Sequence, residues 1–198
     1  GIALVLFGVS ALRLAPLLPD GDSPHYLVLA QSLIKDGDIQ IENNHQRGDY
    51  LEYSLLASQP DYLRRGLNGQ IYSIHAPGLP AVIAPVMWLL GYPGVVGFLG
   101  LVAAIGTGLV WWLARQLTDD AAAAWFAWAC CALTAPFFFL STEVFPDGLA
   151  ASCLLVGLVP LYLEERSRSD AHAHPPGAGP WLAAGAALAL LPWLQTRL

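Results

Sequence analysis

Apolar residues in this chain come in long unbroken runs, not in the short alternations that give a soluble fold one wet and one dry face. Charge-free stretches cover residues 95–114, 121–142, 148–163 and 180–196, and an apolar run, 2–18, interrupted only by Arg13, opens the sequence. Several approach the roughly 20 residues a helix needs to cross about 30 Å of hydrocarbon. Each predicts a transmembrane helix.

Polar residues gather in one long segment, 20–75. It holds Asp20, Asp22, Asp36, Asp38, Glu42, Asp49, Glu52 and Asp61, more than half of the 15 acidic residues. Within it, 24–35 (PHYLVLAQSLIK) places Leu27, Ala30 and Ile34 on one helical face with Tyr26, Leu29 and Leu33 beside them. Asp36-Gly37 supplies a stop. This pattern predicts an amphipathic helix lying on the bilayer surface. Asn68-Gly69 before Ile71-Tyr72-Ser73-Ile74 predicts a turn opening a short strand.

Residues 76–93 (APGLPAVIAPVMWLLGYP) are apolar but interrupted by Pro77, Pro80, Pro85 and Pro93. The longest proline-free piece is too short to span, so the expectation is a juxtamembrane or re-entrant segment. With the polar segment outside, Arg115, Arg166 and Arg168 fall on the cytoplasmic side, as the positive-inside rule favours. Glu143 and Asp147 then return to the side of Asp22.

Composition sharpens this reading. The chain is 56% hydrophobic and only 12% charged, against roughly 25% charged in an ordinary soluble domain. The expected class is all-α: a polytopic transmembrane bundle with a long first extracytoplasmic loop carrying juxtamembrane helices. We expect one membrane domain over 1–198, the N-terminal part of a longer protein. Its parts are a first helix at 1–18, an outer loop at 19–93 and further crossings at 95–198. The net charge of −6 argues against a nucleic-acid partner. Cys130, Cys131 and Cys153 lie in apolar spans, where a disulfide framework is not expected.

Three places carry candidate chemistry. In Gly21-Asp22-Ser23-Pro24-His25-Tyr26-Leu27, Asp22 or Ser23 has the position of a helix cap and Pro24 that of a first helical residue. Capping explains the acid and the proline but leaves His25, one turn along, available to share a proton, a phosphate or a metal with Asp22. In Ser141-Thr142-Glu143-Val144-Phe145-Pro146-Asp147, two carboxylates flank a proline between apolar helices. Such acids are costly at an interface unless they meet water, metal or substrate; the plain alternative is a loop with Asp147 as cap. In Tyr72-Ser73-Ile74-His75-Ala76-Pro77-Gly78, His75 stands where a phosphate head group would pass, and the Arg64-Arg65 pair of the same loop offers more positive charge. His172 and His174 read as a solvated linker. No glycine-rich phosphate loop, Gly-x-Ser-x-Gly elbow or His-Glu-x-x-His motif is present.

These features resemble the GT-C superfamily of integral-membrane glycosyltransferases, in particular the bacterial aminoarabinose transferases of lipid A and the protein O-mannosyltransferase group. The residues that carry the resemblance are "GDSPHYL", "YSIHAPGLP", "EVFPDG" and "LPWLQTRL". It implies a multi-pass protein of the bacterial plasma membrane with its site on the extracytoplasmic face. The implied reaction transfers a sugar, with inversion, from a polyprenyl-phosphate donor to a lipid, glycan or protein acceptor. By position Asp22 matches the catalytic acid of the first outer loop and Asp147 the later outer acid. His75 replaces a lysine that contacts the donor phosphate in the lipid A enzymes.

On this reading Asp22 is the base, and positive charge on the phosphate comes from His75, Arg64 and Arg65, or a divalent ion held by Asp147 and Glu143. Oxygen ligands would suit Mg or Mn; recruiting His25 would favour Zn. The surface helix and the proline-rich segment would hold the lipid-linked donor. An alternative is a lipid or polysaccharide transporter whose acids bind cations without chemistry; a structural membrane subunit would leave the acidic motifs unexplained.

Overall fold

The computed structural model describes residues 1–15, 17–55, 58–169 and 174–195. Two residues of the sequence expectations, His172 in the linker and Thr196 at the end of the last span, lie outside them. The described residues are helical: α1 (Ile2–Leu14), α2 (Ser23–Lys35), α3 (Glu42–Arg47), α4 (Gly78–Thr118), α5 (Ala121–Ala132), α6 (Ala135–Thr142), α7 (Pro146–Ser169) and α8 (Ala178–Leu194), with a 3-10 turn at Asp49–Glu52.

Two helices, α4 with 41 residues and α7 with 24, are long and apolar enough to cross a membrane, and α5 with α6 makes a third if the bent pair is one span. The straight crossing expected over 121–142 is bent by 61°. Its cause is local. Pro136 has no N–H to continue the helical ladder, and Thr134 is extended (φ −73°, ψ 139°) before the chain turns helical again.

α4 is also broken, at Gly91 (φ 65°, ψ −168°), with Pro93 just beyond. That backbone conformation is open essentially to glycine alone. The first arm, 78–90, is about 20 Å long at 1.5 Å per residue, short of the roughly 30 Å of a bilayer core. It begins against the Trp193 backbone, and Tyr92 beyond its far end comes within electrostatic range of Glu143. The second arm, 92–118, extends about 40 Å.

Contacts along this arm order the bundle. Ser152 Oγ approaches the Val102 carbonyl at 3.4 Å, and Arg166 Nη1 donates to Gln116 Oε1 at 2.6 Å, so α4 and α7 run parallel. Gly106 meets the Ser152 side chain at their crossing, where a Cβ would collide; small residues here let the backbones close up. α8 folds back on α7, with Leu188 against Gly157 and Trp193 reaching Gly78. Phe7 of α1 packs with Ala103, Ala104, Trp128 and Ala132 in a second apolar core. The polar segment and the loop 143–145 sit at one end, and Arg115–Asp120 with the last turns of α7 at the other.

The polar segment folds onto α2. Leu27, Val28 and Ala30 are 0% exposed and Leu29 2%, so α2 is covered by protein on nearly every side instead of resting one face on lipid. Its apolar residues occupy four successive positions and thus point all round the helix. α4 covers one side and the 3-10 turn another.

A polar network fixes this cover. Gln31 Nε2 donates to the Asp49 carbonyl (3.0 Å) and Glu52 Oε2 (2.9 Å), and the Tyr53 hydroxyl to Gln31 Oε1 (3.1 Å). Asp49 Oδ2 accepts from Asn44 Nδ2 and Arg47 Nη2, both at 2.9 Å, while Oδ1 accepts from Lys35 Nζ at 3.0 Å. The expected stop after α2 is present at Gly37 (φ 72°), and the Asn-Gly turn at Gly69 (φ 81°). The strand expected at 71–74 is reduced to one bridge, Tyr72 with Gln40. No second strand extends this pair among the described residues.

Candidate functional site

Asp22 is the residue before α2, and the helix starts there through the backbone. Its carbonyl accepts from the His25 and Tyr26 N–H groups at 3.0 and 3.3 Å. The expected side-chain cap is absent: neither Asp22 nor Ser23 caps the helix with its side chain, and Ser23 Oγ is buried with no partner among the described residues. Near-helical angles at Asp22 (φ −82°, ψ −9°) replace the extended conformation that aims a capping carboxylate at the next turn. The Asp22 carboxylate is left exposed and points toward other business.

That business is a cavity of about 290 Å3 lined by Asp22, Tyr26, Asp61, Ile74, His75, Ala76, Leu194 and Gln195. It lies near the lower bound of the roughly 300–1,000 Å3 of small-molecule sites. Asp22 and His75, distant in sequence, both line it. His75 Nε2 lies 3.2 Å from Asp61 Oδ2, with the His75 side chain only 9% exposed. Asp61 is itself anchored, since its carbonyl accepts from the Ile74 N–H at 3.1 Å. The His75 ring stacks on His25 (centroids 5.5 Å, 17° between planes) and leans on Tyr26 (4.7 Å).

His25 stands behind His75 and does not itself line the cavity. Its Nδ1 is buried and without a partner among the described residues. Burial foremost pushes the imidazole below its ordinary range, with His75 and His45 adding to the effect against the opposing pull of Asp61 and Asp22. Two stacked imidazoles in which one is held toward neutrality avoid placing like charges face to face.

The remaining candidates are arranged differently from the expectation. Arg65 is taken by Glu42 in a two-pronged pair, Nη1 to Oε2 at 2.6 Å and Nη2 to Oε1 at 2.7 Å, and also donates to the Gly69 carbonyl. It serves the loop's own fold; neither it nor exposed Arg64 lines the cavity. Glu143 and Asp147 reach the right end of the bundle but not the cavity wall. Phe145 between them packs on Tyr26 (6.4 Å) and Gly21, which puts the whole motif beside Asp22. Asp147 lies in the first turn of α7, after Pro146, and is not its cap. The Glu143 carboxyl is held above its usual range, by partial burial first and then by Asp20.

A metal does not fit this donor set. No three His, Cys, Asp or Glu side chains among the described residues come together in a way that could hold an ion.

Asp61 escaped the sequence reading because nothing local marks it; its role comes from a contact 14 positions away. Leu194 and Gln195 belong to the "LPWLQTRL" stretch quoted above, but their approach to His75 depends on α8 folding back. The chain was also set against protein-family models, curated proteins and solved structures, and none of them matches it.

Proposed function

We propose that this chain forms part of a membrane glycosyltransferase of GT-C type, a polytopic bundle whose cavity faces the extracytoplasmic side of a bacterial plasma membrane. The sugar donor is a polyprenyl phosphate and the acceptor carries a hydroxyl. The observation that carries the reading is the meeting of Asp22 and His75 in one cavity, because this reaction needs a proton acceptor and a positive group on opposite sides of an anomeric carbon.

In the proposed step the acceptor oxygen attacks the anomeric carbon while its proton passes to Asp22. The bond from that carbon to the phosphate oxygen breaks, and the electron pair leaves on the phosphate. Inversion follows from attack opposite the leaving group. A phosphate leaves well without a strong acid, so the second requirement is charge stabilisation. The His75 ring, oriented by Asp61, meets the leaving oxygen. The first arm of α4 keeps the lipid chain beside the cavity mouth.

The test is release of polyprenyl phosphate from polyprenyl-phosphate sugars by the purified full-length protein. Asp22→Asn, which keeps shape but not basicity, is expected to slow turnover by roughly 10²–10⁴-fold. Unchanged turnover in that variant overturns the assignment of Asp22 as the base.

A further inference from the structure

The end of the bundle remote from Asp22 holds a second polar cavity, about 530 Å3, between the last turns of α4 and α7. It is lined by Arg115, Gln116, Asp119, Tyr162 and Arg166. These are the two helices that are long and apolar enough to cross a membrane on their own, so the cavity lies where both leave the hydrocarbon.

The charges around it are paired unevenly. Arg115 pairs with Asp119, the residue that ends α4, and Arg168 with Glu164 along α7 at 3.2 Å. Asp120 and Glu165 are exposed nearby. Arg166 has only a neutral partner among the described residues, the Gln116 amide oxygen at 2.6 Å, which the Tyr162 hydroxyl also approaches at 3.5 Å. A guanidinium has five N–H donors in a fixed fork, and this contact engages one nitrogen of Arg166.

Depth is fixed independently by aromatic rings. Trp112 meets Tyr162 edge-on at 5.6 Å, and Trp111 lies 5.7 Å from Trp125, which lies 5.6 Å from Trp128. Such clusters of tryptophan and tyrosine sit at head-group level. The arginines lie about one turn farther out along the same helices, at the level of lipid phosphate.

We propose that this cavity binds the phosphodiester head group of an anionic membrane lipid, with Arg166 as the principal contact, Arg115 as the second and the Tyr162 hydroxyl as a further donor. Basic pockets between membrane helices recognise anionic head groups through this chemistry. The site is independent of any sugar transfer at the other end of the bundle.

The test places the full-length protein in phosphatidylcholine bilayers containing a small fraction of either brominated phosphatidylglycerol or brominated phosphatidylcholine, and reads quenching of tryptophan fluorescence. Preferential quenching by the anionic lipid is expected. Arg166→Gln should lower that preference about fivefold, and Asp119→Asn, which frees Arg115, should raise it above wild type. Misfolding cannot produce the second result. Equal quenching by both lipids overturns the proposal, as does full preference in Arg166→Gln or preference at or below wild type in Asp119→Asn. Millimolar inorganic phosphate should leave the preference intact; its abolition would assign the cavity to soluble phosphate and overturn the lipid.

Discussion

Replacing Asp49 by asparagine changes almost no volume, yet it should loosen the polar segment more than its size suggests. The Asp49 side chain is only 9% exposed and receives donors on both oxygens: Asn44 and Arg47 on Oδ2, Lys35 on Oδ1. An amide at that position must turn its own NH2 toward a cation or another N–H, whichever way it is flipped. At least one charge-assisted bond is lost and one donor is set against another. Hydrogen bonds to charged groups contribute about 1.5–3 kcal/mol. Lys35 and Arg47 are 34% and 43% exposed and can return to water, which discounts the loss. A net cost of about 2 kcal/mol remains.

The effect is local, because Asp49 holds the 3-10 turn and α3 against α2 and touches none of the apolar helices. Hydrogen exchange followed peptide by peptide is the appropriate assay. Amides of residues 42–53 should exchange roughly thirtyfold faster through local opening, while those of α4 and α7 keep their protection. Asp49→Ala, which removes the carboxylate without adding a misplaced donor, should cost no more than Asp49→Asn. Wild-type exchange in Asp49→Asn refutes the reasoning, and so does a loss spread evenly over the membrane helices.

Acid should act on the same network. The Arg47 bond foremost, with help from Asn44, holds Asp36 below the usual carboxylate range. At Asp49 burial opposes ionisation, but the bonds from Arg47, Asn44 and Lys35 outweigh it and lower the pKa. Both groups therefore contribute stability that is fully present above the unfolded carboxylate pKa, about 4, and is lost as pH falls through their folded values. Exchange of the polar segment, corrected for intrinsic rate, should accelerate below that point, and an acid-insensitive segment would contradict the assignment. Gly78→Ala should disturb the cavity from outside: a Cβ there would overlap the Trp193 carbonyl and sit 2.8 Å from Trp193 Cβ. Overpacking of this kind costs about 1–3 kcal/mol, so a lower thermal midpoint is expected, with altered thiol labelling of Gln195→Cys. An unchanged midpoint and labelling would mean that α8 does not wall the cavity.

Features fixed by neighbours in sequence were legible before the structure. Glycine at 37 and 69 marked turns because left-handed backbone is cheap only there. The prolines of 76–93 marked an interrupted segment, and the chain does break there, at Gly91. Features that depend on distant parts of the chain were hidden. Pro136 carried a signal for the bend after α5, but a proline can be absorbed by a straight membrane helix, and only the extended Thr134 decides the matter. Burial of α2 required knowing that the 3-10 turn covers it. Arg65 looked available for phosphate until Glu42, 23 positions earlier, took it. Asp22 had the composition of a cap and lacked the backbone angles of one. That difference of conformation leaves its carboxylate for the cavity.

The placement of α1 has a consequence for the order in which the protein assembles during synthesis. Its Phe7 and Ala11 close on Gly100 in the second arm of α4, and its other neighbours, in α5 and α6, come later still. Ribosomes add about 5–20 residues per second, so α1 emerges many seconds before the residues of α4 that it meets. The 13-residue helix cannot make these contacts until the whole polar segment has been synthesised. Among the described helices the second arm of α4 is the first to offer α1 a packing partner, and α8 must fold back before Leu194 and Gln195 can wall the cavity beside Asp22.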